Sequence, residues 1–247
     1  MIMNKESGRQ TEAVIITDKL TKNYGVLTAL NEFSLTVEKR DLLALLGANG
    51  AGKTTLIRIL LGLSRQEAPP DGGTANVLGY SSEKLPRSAK EKIGFISDDS
   101  SPMPWASGSA IADFYSNIYP EWDAGEFVRL TDLWHLDVRR KLHSLSKGQK
   151  RLMEFALVLS YRPQLLVMDE PFNGLDAVNR ILLMDFIKKL RLERDITILY
   201  TTHVLEEVEK IADRIVIMRN GMNIFNSTVD AMEKSVENTF RECYEID

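Results

Sequence analysis

Leu42-Leu43-Ala44-Leu45-Leu46-Gly47-Ala48-Asn49-Gly50-Ala51-Gly52-Lys53-Thr54-Thr55 is the stretch whose reading decides the architecture. Its first five residues form an unbroken apolar run of strand length, as expected of a strand buried on both faces of a sheet. A glycine-rich turn follows at once, and residues 53–63 continue with helical apolar spacing. Residues 47–54 fit G-x-x-x-x-G-K-[ST] in the strand–loop–helix setting that gives the pattern its meaning. The glycines let the backbone turn tightly, so that successive N–H groups point inward at phosphate oxygens. The helix starting near Lys53 adds the positive end of its dipole. In such a loop Lys53 offers a mobile ammonium to β- and γ-phosphates, and the Thr54 hydroxyl is a ligand for Mg²⁺. The alternative, a glycine-rich turn with a chance lysine, does not account for the setting.

Outward from this loop the chain divides into three zones. Residues 13–97 alternate strand-like runs (Ala13-Val14-Ile15-Ile16-Thr17 and Phe33-Ser34-Leu35-Thr36-Val37) with short helical ones, and Ala68-Pro69-Pro70-Asp71-Gly72-Gly73 is a loop on turn chemistry. Residues 98–161 hold all three tryptophans (Trp105, Trp122, Trp134) and few strand-like runs, and are predicted to be a helical insert. From residue 162 the α/β alternation returns, with predicted buried strands at 165–168, 196–200 and 214–218 separated by helices. Such alternation implies a largely parallel sheet whose ligand sites lie beyond the strand carboxyl ends. The last 25 or so residues read as a short polar tail.

Composition narrows the possibilities. The 247 residues carry 31 Lys+Arg against 35 Asp+Glu, a net charge of −4, with 44% apolar and 27% charged residues, which is ordinary globular usage. The mild acidity argues against a nucleic-acid partner, which calls for a basic face. A single cysteine, Cys243, forms no internal disulfide and no cysteine-rich zinc site, and points to a reducing compartment. No run approaches the ~20 apolar residues of a membrane span, and residues 1–11 lack a secretory apolar stretch. The expectation is a soluble, cytoplasmic protein whose membrane role, if any, comes through a partner.

Two further segments carry chemistry. Leu165-Leu166-Val167-Met168-Asp169-Glu170-Pro171 delivers two carboxylates at a strand end, where burial demands a cation or hydrogen bonds. Beside a phosphate loop, Asp169 is placed to hold Mg²⁺ and Glu170 to polarise the water that attacks the γ-phosphorus. Alone, the pair would read as a solvated turn. Leu145-Ser146-Lys147-Gly148-Gln149 precedes a helical run, and Ser146 is first of all an N-cap. The same physics, a hydroxyl beside exposed helix-start N–H groups, makes a second anion site.

The phosphate loop, the 145–149 pentapeptide, Asp169-Glu170, Gly174-Leu175-Asp176 and His203 after a strand occur in that order. Across residues 13–225 this resembles the nucleotide-binding subunit of an ABC transporter, specifically cassettes of bacterial ABC-2-type exporters. The resemblance implies an α/β fold: a P-loop NTPase core with a mostly parallel sheet, an N-terminal antiparallel β subdomain and an inserted α-helical subdomain. In these terms the core comprises residues 12–97 and 161–225, the insert 98–160 and the tail 226–247. It also implies an ATPase in which two cassettes, identical or homologous, sandwich two Mg²⁺–ATP head to tail. Each ATP then lies between Gly47, Asn49, Gly50, Ala51, Gly52, Lys53, Thr54 and Thr55 of one copy and Ser146, Lys147, Gly148 and Gln149 of the other. Tyr24 matches the aromatic that stacks on adenine, Asp176 the loop that crosses the interface, and His203 the residue that hydrogen-bonds the γ-phosphate and holds water and Glu170 in line. Membrane-spanning permease subunits are the implied partners, with the cassette peripheral at the inner face of the membrane. The rival reading is a soluble single-cassette ATPase driving an assembly task.

Three positions depart from that family's pattern. Asp98 stands where a glutamine usually touches Mg²⁺, Lys147 where glycine is commoner, and Arg40 where a turn glycine is common. Lys147 would bring a cation near the opposing ATP, and Arg40 is expected to matter little. The aromatic stretch from Pro102 to Trp122 admits two readings, a docking surface for a helix of the membrane subunit or a small core within the insert. His135 and His143 match nothing and are expected at the surface or an interface.

Overall fold

The computed structural model describes residues 12–67, 72–97 and 103–246. Its strands are β1 (Ala13–Tyr24), β2 (Leu27–Glu38), β3 (Leu42–Leu46), β4 (Thr74–Val77), β5 (Tyr80–Ser81), β6 (Ile93–Ile96), β7 (Leu165–Met168), β8 (Thr197–Thr202), β9 (Arg214–Arg219) and β10 (Met222–Thr228). The helices are α1 (Lys53–Leu60), α2 (Arg87–Lys90), α3 (Gly108–Ile118), α4 (Ala124–Leu133), α5 (Lys147–Ser160), α6 (Ala177–Glu193), α7 (Leu205–Ile211) and α8 (Val236–Tyr244).

The strands form two sheets. One is antiparallel in the order β2-β1-β4-β5. The other runs β10-β9-β3-β8-β7-β6, parallel except that β10 pairs antiparallel with β9. Every residue of β3 is buried, as its unbroken apolar run requires. The two-residue period of the pleat splits that run between two cores. Leu42, Ala44 and Leu46 face a core built with Phe155 and Leu159 of α5 and Leu183 and Ile187 of α6. Leu43 and Leu45 face the other, with Phe33 and Leu35 of the antiparallel sheet and Leu56 and Ile57 of α1. Ile111, Phe127 and Leu130, from the helical insert, belong to the first core, so the insert shares its apolar interior with the parallel sheet.

Local differences from the sequence reading have local causes. β1 and β2 are each 12 residues long because they make one hairpin whose Tyr24↔Leu27 pairing closes at Gly25, with irregular register absorbing polar residues near Lys19 and Glu32. α1 ends at Leu60, before Gly62 at φ +69°, rather than running to 63. Arg40 adopts φ +68°, the conformation a turn glycine takes without strain, and its N–H donates to Thr197 Oγ1 at 2.9 Å. A side chain there costs roughly 1 kcal/mol. The polar-looking segment from 222 to 244 forms regular elements. β10 extends the sheet, and α8 lays Val236, Phe240 and Tyr244, four residues apart, against the first core.

Candidate functional site

The carboxyl ends of β3, β8 and β7, neighbours in the sheet, carry the 47–52 loop, Thr201 and Asp169-Glu170. The loop is shaped by its glycines. Gly52 starts α1 at φ +108°, and a Cβ there would sit 2.3 Å from the Ala29 carbonyl oxygen. Lys53, the first residue of α1, turns its ammonium back under the loop, donating to the Gly47 carbonyl at 2.5 Å and the Ala48 carbonyl at 3.3 Å. Burial pulls its pKa below the ordinary lysine range, and the attraction of Glu170, 3.6 Å away, opposes this.

Asp169 is 6% exposed, and both its oxygens are satisfied by hydroxyls. Thr54 Oγ1 donates to Oδ2 at 2.9 Å and Thr201 Oγ1 to Oδ1 at 2.5 Å, which offsets the cost of burying the carboxylate. The next residue, Glu170, has φ +47°, a left-handed conformation that turns the chain sharply off the strand. Its N–H donates to Thr201 Oγ1 at 3.0 Å, and its carboxylate stands between Lys53 and His203, with Oε2 3.0 Å from His203 Nδ1. His203 follows β8 in a turn held by Thr202, which donates to Glu207 Oε2 at 2.6 Å and accepts from Val204 N–H at 3.0 Å. Burial pushes the Glu207 carboxyl up. Thr201, Thr202 and Glu207 escaped the sequence reading, since threonines in a strand read as β-formers. The signal was their place beside His203.

Lys53, Thr54, Asp169, Glu170 and His203 therefore converge on one cluster. A second group gathers at the start of α5. Ser146 Oγ accepts from Gln149 N–H and Gln149 Oε1 accepts from Ser146 N–H, both at 3.1 Å, a closed capping box on an exposed turn. Lys147 lies across Gly174 of its own chain, where a Cβ would meet its Nζ at 2.2 Å. Gly148 abuts Asn179 of α6, and Asp176 caps that helix through Asn179 N–H at 2.9 Å. Tyr24 stands at the hairpin tip of the antiparallel sheet, half-exposed, with the Lys22 ammonium 5.2 Å from its ring centre. Asp98 lies outside the described residues, as does Pro102. Ser97 before them accepts a hydrogen bond from the Arg151 guanidinium.

The aromatic stretch divides. Tyr115 and Tyr119 pack around Tyr161, with the Tyr119 and Tyr161 rings stacked at 3.9 Å, and Trp122 meets Tyr115 edge-on, whereas Trp105 and Phe114 are exposed. Glu154 of α5 borders the same cleft of about 350 Å³.

Fold and site together define a phosphate-loop nucleoside triphosphatase of the α/β class. Residues 30–173 match the family described as ABC transporter. A bacitracin transport ATP-binding protein, BcrA of Enterococcus faecalis, is 32% identical, the match covering 90% of this chain and 72% of that protein. A Nod factor export ATP-binding protein I of Paraburkholderia xenovorans (strain LB400) is 34% identical, covering 90% and 73%. The solved ATP-binding subunit of an ABC transporter superimposes with a TM-score of 0.81 at 23% identity, over 94% of this chain and 99% of that one. The chain belongs to the ABC transporter family, as an ATP-binding cassette and an ATPase. It spans between 60% and 73% of the length of such curated relatives.

Proposed function

We propose that this cassette hydrolyses ATP to power export through separate membrane-spanning subunits, pairing with a second cassette around two Mg²⁺–ATP. The observation that carries the reading is the convergence of Asp169 and Glu170 on Lys53 and Thr54. The names of the bacitracin transport and Nod factor export relatives support the transport and export parts. No helix among the described residues is long and apolar enough to cross a membrane, and a spanning partner is proposed for the membrane role. Exposed Trp105 and Phe114 are the proposed contact for it. The core is assigned to residues 12–97 and 161–225, and the insert to 98–160.

The loop amides of residues 49–55 grip the phosphates, and Lys53 trades its carbonyl partners for β- and γ-phosphate oxygens. Glu170 takes the proton from the attacking water as the water oxygen bonds to the γ-phosphorus. The bond to the bridging oxygen breaks, and its electron pair leaves on ADP. His203 holds Glu170 and the water in line. A Thr54 hydroxyl beside the Asp169 carboxylate is a hard-oxygen donor set suited to Mg²⁺, which adds positive charge at the phosphate oxygens when bound. Tyr24 stacks on adenine, and Ser146–Gln149 with Asp176 close the site of the other copy.

Mass measurement on the Glu170→Gln protein tests the pairing. Saturating Mg²⁺–ATP should convert single copies to pairs, and protein that stays single sinks that part. Sedimentation with membranes should require a co-expressed chain bearing several apolar 20-mers. ATP turnover with no such dependence would favour a soluble assembly ATPase.

A further inference from the structure

The phosphate loop is held from behind by the far end of the chain. The Tyr244 hydroxyl, at the last residue of α8, accepts a hydrogen bond from Ala48 N–H at 2.9 Å and donates one to the Met218 carbonyl at 2.6 Å. Ala48 N–H and the Gly47 carbonyl belong to one peptide unit, which is planar, so fixing one fixes the other. That Gly47 carbonyl is the oxygen that holds the Lys53 ammonium at 2.5 Å. A single rigid plane thus stands between the Tyr244 hydroxyl and Lys53.

The loop's hydrogen bonds to Thr202 and Gly221 are made by other peptides. Gly47 N–H reaches the Thr202 carbonyl at 3.4 Å, and the Ala51 carbonyl accepts from Gly221 N–H at 2.9 Å. They fix the ends of the loop, the Ala48 carbonyl accepts from Ala51 N–H at 3.1 Å, and the Gly47–Ala48 peptide between is held by Tyr244 at its N–H and by Lys53 at its carbonyl. The tyrosine is itself held in place. Its ring stacks on Phe240 with centroids 4.4 Å apart. The Arg219 guanidinium lies 5.7 Å from the ring centre and donates to the Cys243 carbonyl at 3.0 Å and to Glu245 Oε1 at 3.1 Å. Because the hydroxyl both donates and accepts, its proton is committed to Met218 and its lone pair to Ala48.

From this geometry we infer that Tyr244 is a positioning residue that latches α8 to the phosphate loop, orienting the Gly47–Ala48 peptide and through it Lys53, so that docking of the C-terminal helix sets the affinity for nucleotide. The inference rests on the phosphate-loop reading of residues 47–54 and adds an element that reading does not contain. Linkage makes the effect reciprocal. If docked α8 tightens ATP binding, bound ATP tightens α8 by the same factor.

The Tyr244→Phe variant keeps the ring, its stacking and the helix, and deletes only the hydroxyl. One neutral hydrogen bond contributes roughly 1 kcal/mol, or about five-fold in an equilibrium. In nucleotide-free protein, hydrogen exchange at the Ala48 amide, followed by NMR, should quicken about five-fold in the variant. Titration with radiolabelled ATP and Mg²⁺ should show about five-fold weaker binding. Steady-state kinetics should show that loss in KM, with kcat within about two-fold of the parent. ATP should slow exchange of the α8 amides in the parent and do so less in the variant. Arg219→Gln, which loosens the end of α8 without touching the loop, should move binding in the same direction. A folded Tyr244→Phe protein with unchanged Ala48 exchange and unchanged ATP affinity overturns the latch. Parent protein that binds no ATP, while Ala48 exchange still responds to the substitution, would instead overturn the function proposed for the loop and leave the latch standing.

Discussion

The two regions proposed to bind phosphate differ in how complete they are. At the ends of β3, β7 and β8 every charged group has a partner within the chain: Lys53 lies on loop carbonyls and beside Glu170, Asp169 holds two hydroxyls, and Glu170 meets His203. At the start of α5 the hydrogen bonds of the capping box also close, but only within one turn, and Ser146 is exposed. The first region is assembled by folding, and the second is the exposed helix start proposed to face another copy. Both starts offer the same physics, amides and a hydroxyl at a helix N-terminus.

The largest expected effect breaks the finished region at its base. Glu170→Gln should lower ATP turnover on the order of 10²–10⁴-fold with nucleotide binding retained, because the amide keeps the shape and removes the proton acceptor. Phosphate release at the parental rate would take Glu170 out of the chemistry. Lys53→Ala comes next. It deletes a charge-assisted grip of roughly 2–3 kcal/mol, so titration should show ATP affinity down about 30- to 160-fold. Normal affinity would count against the loop as the phosphate site. Neither change should disturb the capping box at Ser146.

How legible each region was follows from the range of the forces that build it. The phosphate loop could be read because its chemistry is written in consecutive backbone demands. The carboxylates could be read because four apolar residues leave Asp169 nowhere but a buried strand end. Thr201 could not, since its two bonds join residues about thirty positions apart and a strand threonine looks the same with or without them. Tyr244 is the extreme case, lying 196 residues from the amide it holds. The tail still offered one signal, the four-residue spacing of Val236, Phe240 and Tyr244, which marks an amphipathic helix even in polar company. The hairpin of β1 and β2 exceeded its apolar runs because pairing extended it past them. The left-handed turn at Arg40 could be anticipated only through the resemblance, since nothing local forbids an arginine in an ordinary turn.

A third prediction sharpens the comparison along α5, whose start is open and whose middle is not. Burial in the cleft pushes Glu154 up to about 7, against partial relief from Arg151 and Lys150. Between its unfolded value near 4.5 and about 7, the folded chain binds more protons than the unfolded one. Stability from this group is therefore full below about 4.5 and is lost as pH rises through about 7. A shift of this size corresponds to about 2–3 kcal/mol, allowing for the part of the side chain that solvent reaches. Glu154→Gln cannot ionise, so its Tm advantage over the parent should grow from pH 5 to pH 8. A difference that does not change with pH would mean the cleft is wet and the whole of α5 lies in one environment.

The smallest effect on the isolated chain comes from Ser146, and it separates the two things that residue does. Ser146→Ala removes the cap and should cost about 1 kcal/mol of stability by denaturant unfolding. Any mere N-cap would behave the same way, so that result alone says nothing of an occupant. Ser146→Asp keeps a good cap and adds a negative charge that the helix dipole welcomes, so stability should stay within about 0.5 kcal/mol of the parent. Binding of ATP to single copies should likewise stay near the parental value, because the Lys53 region is untouched. The added carboxylate would, however, meet the triphosphate of a second copy, where like charges close together repel. In a Glu170→Gln background the Ser146→Asp protein should then fail to pair under saturating ATP while remaining as stable and as able to bind ATP as before. Pairing that survives the charge would mean that the α5 start is closed by its capping box and nothing more.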